Sequence, residues 1–254
     1  MNRISEQTKT VDSVERSLEI LEELREQERG SITSLSESLG FSPSSVHNHL
    51  MTFQQAGYVV REGDLYKLSL QFLSHGEFVR KQIPMYRRIK EYVDLLAEET
   101  NENVSFVVEQ QGRGVFIYRK SGGRKLLTAE PGDSAPIHCL SGGKAILAAL
   151  PPSQVERILE NNKLNPMTDN TISDRDALFD ELETINERGY AINRGERIEQ
   201  LQSIAVAISG NSPEPIGSIA VVGPKHRMQG QQVLSTISDQ LLATVEEIEL
   251  NAAE

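Results

Sequence analysis

The spacing of apolar residues predicts a helix at the start of the chain. Asp12 and Glu15 have the spacing of a capping box, in which the first side chain caps the helix. A helical period of 3.6 residues then groups the apolar positions into one stripe. We expect the core-facing residues of this helix to be Val14, Leu18 and Leu21, with Ile20 and Leu24 beside them.

Two shorter helices are predicted next, joined by a tight turn. Gly40 ends the first of them, because glycine readily adopts the left-handed conformation of a helix end. Ser42 is a suitable N-cap for the second, and Pro43 falls at its first position, where no N–H is needed. The apolar stripes are Leu35 and Leu39 on the first helix, and Val46, Leu50 and Phe53 on the second.

The third predicted helix has a polar face. Ser44, Asn48 and Thr52 point away from its apolar stripe, and His47 flanks it. A short polar helix held against a partner helix is typical of the element that enters a DNA major groove. Serine, asparagine and histidine side chains can bind base edges and phosphates. The alternative is an ordinary helical hairpin with a solvated face.

A β-hairpin follows the three helices. Residues 58–61 and 65–68 alternate as strands do, and Glu62-Gly63-Asp64 is a turn between them. Three helices and a hairpin make a winged helix-turn-helix, with Arg61 and Lys67 on the wing near the DNA backbone. An ordinary pair of helices is not followed by such a β-hairpin, so the β-hairpin favours DNA binding.

The remaining chain alternates helices and strands. A linker helix over residues 70–83 is too apolar for a fully solvated helix, which suggests a partner chain, and Pro84 breaks it. The next helix carries Ile89, Val93 and Leu96. Strands are predicted at 104–108, 115–119, 126–127, 190–193, 203–209 and 216–222, and helices at 142–150, 153–161, 174–188 and 229–250. This order predicts a mixed α+β domain with an antiparallel sheet, large enough to be a ligand sensor.

A loop over residues 130–145 is rich in Gly, Pro and Ser and leads into an apolar helix. Ser141 is placed as the N-cap, and Gly142 and Gly143 leave their backbone N–H groups open. A helix N-terminus with free amides favours a carboxylate or a phosphate. The alternative is a capped helix whose free amides bind water, since every helix has such an end.

The composition restricts the class of protein. No apolar run reaches the roughly 18 residues of a membrane span, and the first residues lack an apolar signal core, so a cytoplasmic location is expected. The net charge is −11, and residues 1–70 hold seven basic and eleven acidic residues. That balance opposes DNA binding unless a cytoplasm of very high salt screens the charges.

The sequence gives little support for catalysis or for metal binding. Cys139 is the single cysteine, and the five histidines lack zinc-ligand spacing. Adjacent residues on a strand point to opposite faces, so His138 and Cys139 are not expected to pair. A buried structural cysteine is the simpler interpretation. We therefore expect no catalytic residues, no metal and no cofactor.

The chain resembles the IclR family of transcriptional regulators over nearly its whole length. The order and spacing of several short motifs carry this resemblance. They are residues 13–21, 44–50 and 57–59 in the first part, and residues 136–139, 143–148, 188–191, 196–197, 203–206 and 223–224 in the second. The resemblance implies a winged-helix domain, a dimerising linker helix and a GAF/PAS-like effector domain. It also implies dimers or tetramers on palindromic operators, controlling catabolic genes in response to a small metabolite, often a carboxylate.

The family pattern also implies positions for the effector site. They are Ser141, Gly142, Asn193, Ser203, Ala220 and Val222. Several depart from the family: Asn193 replaces a frequent Asp, Ser203 a frequent Cys, and Ala220 and Val222 stand where Ser is common. Fewer hydroxyls argue against a small keto acid and for an aromatic or otherwise less polar acid. Asn48 stands where Arg is common, and its amide can bind adenine.

The expected organisation has three parts. Residues 1–70 form the winged helix-turn-helix, 71–84 the linker helix and 85–254 the domain for effector binding and oligomerisation. The expected function is a DNA-binding transcriptional regulator of a catabolic operon, controlled by an organic acid or a sugar-derived catabolite. The alternative is a metabolite-binding or interaction protein whose helix-turn-helix no longer binds DNA. The expected DNA-binding residues are Ser42, Ser44, Ser45, His47, Asn48, Thr52, Arg61 and Lys67.

Overall fold

A computed structural model describes residues 10–123, 129–160, 162–210 and 214–251. The chain divides into two compact units, Met1–Arg80 and Lys81–Glu254. The strand expected at residues 126–127 lies outside the described residues.

The first unit contains helices and one hairpin, in the order expected. Strands β1 and β2 pair antiparallel around the Gly63 turn, and Gly30 forms an isolated bridge to Tyr66 of the hairpin. This bridge ties the hairpin to the loop after the first helix. The elements are α1 (Asp12–Glu26), α2 (Ile32–Leu39), α3 (Pro43–Gln55), β1 (Val59–Glu62), β2 (Leu65–Leu68) and α4 (Gln71–Lys81).

Helix α1 differs from its prediction at both its cap and its buried face. Val11 is the N-cap and Asp12 is the first helical residue, so the predicted Asp12 cap is wrong. Acidic side chains in the first turn still favour the positive end of the helix. Ile20 and Leu24 are fully buried, whereas Val14 and Leu18 are exposed. Two apolar stripes adjoin on this helix, and periodicity alone did not identify the one that packs.

The turn between α2 and α3 agrees with its prediction. Gly40 is left-handed with φ of 68°, Ser42 accepts a hydrogen bond from the Ser45 N–H at 3.3 Å, and Pro43 opens α3. Val46 and Leu50 are fully buried in the core of this unit. The local sequence therefore fixes both the end of α2 and the direction in which α3 presents its polar face.

The second unit is a six-stranded antiparallel sheet with helices on both faces. Its strand order is β5-β4-β3-β8-β7-β6. Strand β5 was not expected, because residues 134–136 lie in the loop predicted over 130–145. The elements are α5 (Tyr86–Thr100), β3 (Asn103–Gln110), β4 (Arg113–Ser121), β5 (Ser134–Pro136), α6 (Ser141–Ala148), α7 (Pro152–Glu160), α8 (Arg175–Arg188), β6 (Ala191–Asn193), β7 (Leu201–Ile208), β8 (Gly217–Pro224), α9 (Lys225–Met228) and α10 (Gln231–Leu250).

Alternation along the strands sends their side chains to two different cores. Phe106, Ile204 and Ile219 face α10 and also α5, where the predicted stripe of Ile89, Val93 and Leu96 is buried. Ala205 and Ala220 face the opposite way and pack with α6, α7 and α8. The small residues on this second face leave room beside the start of α6, and the cavity described below lies there.

Candidate functional site

The polar face of α3 is open to solvent. Ser44, His47, Asn48 and Thr52 are exposed, and Ser45 is half-buried. Thr52 donates to the Asn48 carbonyl at 2.9 Å. Within the described ranges, the side chains of His47 and Asn48 make no hydrogen bond, so their polar atoms are available to a partner molecule.

The N-terminal end of α3 carries hydroxyls and lies near a cation that sequence analysis missed. The hydroxyls of Ser42 and Ser44 are 3.2 Å apart. The Arg16 guanidinium of α1 lies 5.5 Å from the ring centre of Phe41, directly before α3. An exposed arginine beside a helix N-terminus suits a phosphate group. Its place opposite Phe41 follows from helix packing, which no local motif reveals.

The wing carries its two expected basic residues, and both are paired within the hairpin. Arg61 donates to the Gly63 carbonyl at 2.7 Å and approaches Asp64 at 3.4 Å. Lys67 forms an ion pair with Glu62, and this contact lowers the pKa of that carboxyl. The hairpin is therefore close to neutral, and a phosphate must compete with Glu62 and Asp64 for these cations.

The second unit encloses a cavity of about 50 Å³ on the α6 side of the sheet. All six positions expected for an effector, on three strands and a helix N-terminus, line it. Sequence analysis missed further wall residues, several of them polar. The full lining is Ser105, Val107, Phe116, Cys139, Leu140, Ser141, Gly142, Asn193, Arg197, Ile198, Leu201, Gln202, Ser203, Ala220 and Val222.

Ser141 does not cap α6, contrary to the prediction. Leu140 is the N-cap, and Ser141 is the first helical residue. The Ser141 hydroxyl lies 2.7 Å from the Ser203 hydroxyl of β7, so the two hydroxyls satisfy each other across the cavity wall. The Lys144 N–H makes the first helical hydrogen bond, to the Leu140 carbonyl. The amides before it lack helical partners, as at every helix start.

The two glycines of α6 serve close packing. A Cβ on Gly143 would lie 1.9 Å from the Ile137 carbonyl oxygen, and one on Gly142 would lie 2.6 Å from the Ser218 hydroxyl. Gly142 lines the cavity, whereas the side-chain position of Gly143 is filled by the backbone of the preceding turn. The role of the backbone N–H groups of these glycines in ligand binding stays a prediction.

Asn193 is fully engaged in holding the loop after β6. Its amide nitrogen donates to the Cys139 carbonyl at 2.6 Å, and its oxygen accepts from the N–H groups of Gly195 and Glu196, each at 3.0 Å. These three bonds join the turn before α6 to the loop that carries Arg197. Asn193 therefore shapes the wall of the cavity.

A buried ionic cluster supports the same region. Lys144 is 1% exposed, and its ammonium donates to Glu196 at 2.8 Å, to the Ile192 carbonyl at 2.9 Å and to Glu181 at 3.3 Å. Arg188 also donates to Glu181, at 3.0 Å. Burial raises the pKa of Glu196, and the Lys144 ammonium opposes that rise. This cluster joins α6, α8 and the loop after β6.

His138 and Cys139 lie in contact, so the expectation that they cannot pair is wrong. Residues Ile137–Cys139 form a single 3₁₀ turn rather than a strand, and the Cys139 sulfur lies 3.3 Å from His138 Nε2. Burial raises the pKa of the Cys139 thiol to about 12 and lowers the pKa of His138. The thiol is therefore protonated at neutral pH, and a protonated thiol is a poor nucleophile.

Two absences concern only the part of the chain that the structure describes. There, no three His, Cys, Asp or Glu side chains come together in a group that could hold a metal ion. None of the described helices combines the length and the apolar character required to cross a membrane.

A winged helix-turn-helix with a polar recognition face, on one chain with a cavity-bearing α+β unit, defines a class of DNA-binding transcriptional regulators. The family models agree with this class: the IclR helix-turn-helix domain matches residues 13–63, and the C-terminal domain of bacterial IclR transcriptional regulators matches residues 78–250. The chain belongs to the IclR family, whose members are transcriptional regulators rather than enzymes.

Individual relatives are distant but cover nearly the whole chain. The HTH-type regulator ArcR of Halobacterium salinarum is 27% identical over 96% of this chain and 95% of its own. The crystal structure of Thermotoga maritima IclR has a TM-score of 0.82 at 22% identity, with 96% and 99% coverage. An IclR homologue from Microbacterium hydrocarbonoxydans, complexed with 4-hydroxybenzoate, has a TM-score of 0.78 at 18% identity, with 95% and 99% coverage. The two solved structures share the fold.

Proposed function

We propose that the protein is a one-component regulator whose DNA affinity is set by a small organic acid. Its operator is palindromic and controls a catabolic operon in the cytoplasm. The observation that carries the proposal is the pairing of two features on one chain: an open polar face on α3 and an enclosed, partly polar cavity in the other unit. A ligand regulates such a protein if it binds the DNA-competent and the incompetent states with different affinities.

On the DNA side, α3 enters the major groove and the wing lies along the backbone. Asn48 reads a base edge, because its amide is exposed and unengaged among the described residues. Ser44 and His47 contact the same groove, and the wing cations Arg61 and Lys67 exchange their carboxylates for phosphates. The remaining members of this proposed interface are Ser42, Ser45 and Thr52.

On the ligand side, the effector binds in the cavity of the second unit. The proposed contacts include Ser141, Gly142, Asn193, Ser203, Ala220 and Val222. The free volume of about 50 Å³ supports a small ligand for this cavity. The 4-hydroxybenzoate bound by the Microbacterium homologue supports an acid as the class of effector.

A homodimer or homotetramer completes the proposal. Helix α4 exposes Leu73, Phe78 and Val79, and α1 exposes Val14 and Leu18, so both helices present apolar side chains to solvent. A second copy of the chain would remove that surface from water, with α4 (Gln71–Lys81) as the helix of the linker expected over residues 71–84. Two recognition helices then match the two half-sites of a palindrome.

Chromatin immunoprecipitation of the tagged protein in its own cells tests the proposal. A few sharp peaks upstream of a metabolic operon are expected. Operator binding is then measured for the purified full chain, with and without the organic acids handled by that operon. The Ser44→Ala/Asn48→Ala variant should weaken binding, and Gln54→Ala, exposed on the same helix, serves as the matched control.

A second candidate function is a metabolite-binding or interaction protein that no longer binds DNA. The observation in its favour is the paired, nearly neutral wing in an acidic N-terminal region. The absence of chromatin peaks on several carbon sources, together with no DNA binding at any salt concentration, would establish this function in place of the first.

A further inference from the structure

The cavity wall contains one cation that has no ionic partner among the described residues. Arg197 lies in the loop after β6, and its guanidinium is 5.1 Å from the ring centre of Phe116 on β4. It makes no hydrogen bond or ion pair with any described residue. Burial lowers its pKa, and Asp133 opposes this only by longer-range attraction. A partly desolvated cation is costly unless an anion or a polar group meets it.

The same wall contains one buried hydroxyl without a partner. Ser105 on β3 is 5% exposed, lines the cavity, and its Oγ has no hydrogen-bond partner among the described residues. Its cross-strand neighbours are Ala220 on β8, which has no polar side-chain atom, and Arg119 on β4, which donates to the Ala129 carbonyl and to Asn103 and not to Ser105. An unsatisfied buried hydroxyl costs stability, so the cavity favours a molecule that meets it.

The other polar side chains of the wall are already engaged. Ser141 and Ser203 bind each other, Asn193 makes three bonds, and Gln202 donates to the Met228 carbonyl at 2.9 Å. Binding a ligand through these groups would first break existing bonds. Arg197 and Ser105 need no such exchange.

The sheet register places Ser105 close to the strand position that pairs with Phe116. Phe116 pairs with Val107 on β3, and Ser105 lies two residues from Val107 on the same face. Two residues of strand span about 7 Å. The backbone positions of Ser105 and of the residue paired with Phe116 are therefore about 7 Å apart along the strand, and Ser105, Phe116 and Arg197 all line the same cavity.

We propose that Arg197 binds the carboxylate of the effector, that Ser105 binds a second oxygen on it, and that the pair selects a short carboxylate bearing one further hydroxyl or oxo group. Phe116 stacks against the guanidinium and holds it in place. This inference rests on the proposed function, and it assigns the specificity of the cavity to two residues that are not among the six positions expected for an effector.

Isothermal titration calorimetry on the full chain, without DNA, tests this assignment. The probes are glycolate, L-lactate and pyruvate, compared with acetate, which lacks the second oxygen, and lactamide, which lacks the carboxylate. At least one of the three acids should bind about tenfold or more tightly than acetate, and lactamide should not bind. Failure of all three acids, or binding of lactamide as tight as that of lactate, would overturn the proposal.

Two pairs of matched variants assign the residues. Arg197→Gln should weaken binding of the acid at least tenfold and Arg197→Lys less, whereas Arg194→Gln, exposed on the same loop, should bind normally. Ser105→Ala should reduce the preference over acetate at least threefold. Ser218→Ala is its control, because Ser218 is also buried and unpartnered but does not line the cavity.

An affinity within twofold of wild type for Arg197→Gln would refute the role of Arg197. Melting temperatures are recorded for every variant, and if Arg197→Gln fails to fold, the folded Arg197→Lys variant decides in its place. Operator binding in the absence of any acid is measured separately. If the wild-type chain does not bind operator DNA, the proposed regulator is refuted. If it binds DNA but Arg197→Gln leaves the affinity for the acid unchanged, only this further inference is refuted.

Discussion

The polar face of α3 and the wall of the cavity use the same residue types in opposite physical situations. Asn48 on α3 is exposed, with no hydrogen bond to any described residue, whereas Asn193 in the cavity is buried and makes three. Exposed polar groups meet water, so they cost nothing when unpaired and bind a partner readily. Buried ones must be paired or they cost about 1–3 kcal/mol. The engaged asparagine therefore has a structural role, and the unengaged one is the candidate for recognition.

Serine shows the same contrast, with exceptions at Ser105 in the cavity wall and at Ser218 outside it. Ser44 is exposed and Ser141 is buried and paired, but Ser105 is buried and unpaired. A native protein retains few such groups, and each requires an explanation. For Ser105, the effector that we propose for the cavity would supply it.

The largest expected effect concerns the ionic cluster behind the cavity. Lys144→Met leaves the carboxylates of Glu196 and Glu181 without their buried cation, so unfolding free energy should fall by about 3–5 kcal/mol. Urea denaturation at pH 7 measures this change. Lys163→Met, at an exposed lysine, is the control and should change stability little. Equal stability of the Lys144→Met and Lys163→Met variants would show that the cluster contributes nothing net.

On α3, the Ser44→Ala/Asn48→Ala variant should weaken operator binding by about 1–3 kcal/mol, because a bidentate base contact is lost. Fluorescence anisotropy with the operator measures it, and the melting temperature should stay unchanged because both side chains are exposed. Unchanged affinity would remove this face as the reader of sequence.

At the start of α6, Gly142→Ala should destabilise the protein by about 1–3 kcal/mol, because its Cβ would meet the Ser218 hydroxyl at 2.6 Å. The double variant Gly142→Ala/Ser218→Ala should recover part of this loss, since the clashing atom is gone. Thermal denaturation of the two variants, beside Ser218→Ala alone, reveals the coupling. If the stability changes of Gly142→Ala and Ser218→Ala simply add, the close contact does not cause the loss of stability.

The smallest expected effect concerns the wing. Glu62→Gln frees Lys67 from its carboxylate, so DNA affinity should rise about two- to fivefold and depend more steeply on salt, with about one added phosphate contact. Anisotropy titrations from 0.1 to 1 M KCl measure both quantities. Glu37→Gln, exposed on α2, removes the same charge elsewhere and should have a smaller effect. Equal effects of Glu62→Gln and Glu37→Gln would indicate that net charge, rather than the Lys67–Glu62 ion pair, sets the DNA affinity.

Local signals in the sequence were enough for the turn before α3 and for five of the six strands in the described part of the sheet, β5 being the exception. Gly40, Ser42 and Pro43 each carry a conformational preference that does not depend on distant residues. The six positions implied for an effector also line one cavity, although their role in binding stays a prediction.

Other features depend on tertiary contacts, which local sequence patterns do not reveal. Asp12 and Ser141 have the right chemistry for caps, yet each is the first helical residue, and Ser141 instead meets Ser203 from a distant strand. The contact between Cys139 and His138 depends on a 3₁₀ turn that no periodicity signals. Ser105 was not predicted because a lone serine in a strand has no motif, and the motif at residues 196–197 does not show that the Arg197 side chain lines the cavity.

The internally paired wing also bears on how the protein finds its target. Arg61 and Lys67 are held by Asp64 and Glu62, so the hairpin adds little long-range attraction toward an arbitrary stretch of duplex. Weak attraction of that kind shortens each visit to random sequence and lowers the fraction of molecules sequestered by the many competing sites of a genome. The search would then proceed by frequent release and rebinding in three dimensions, with short sliding tracks between encounters.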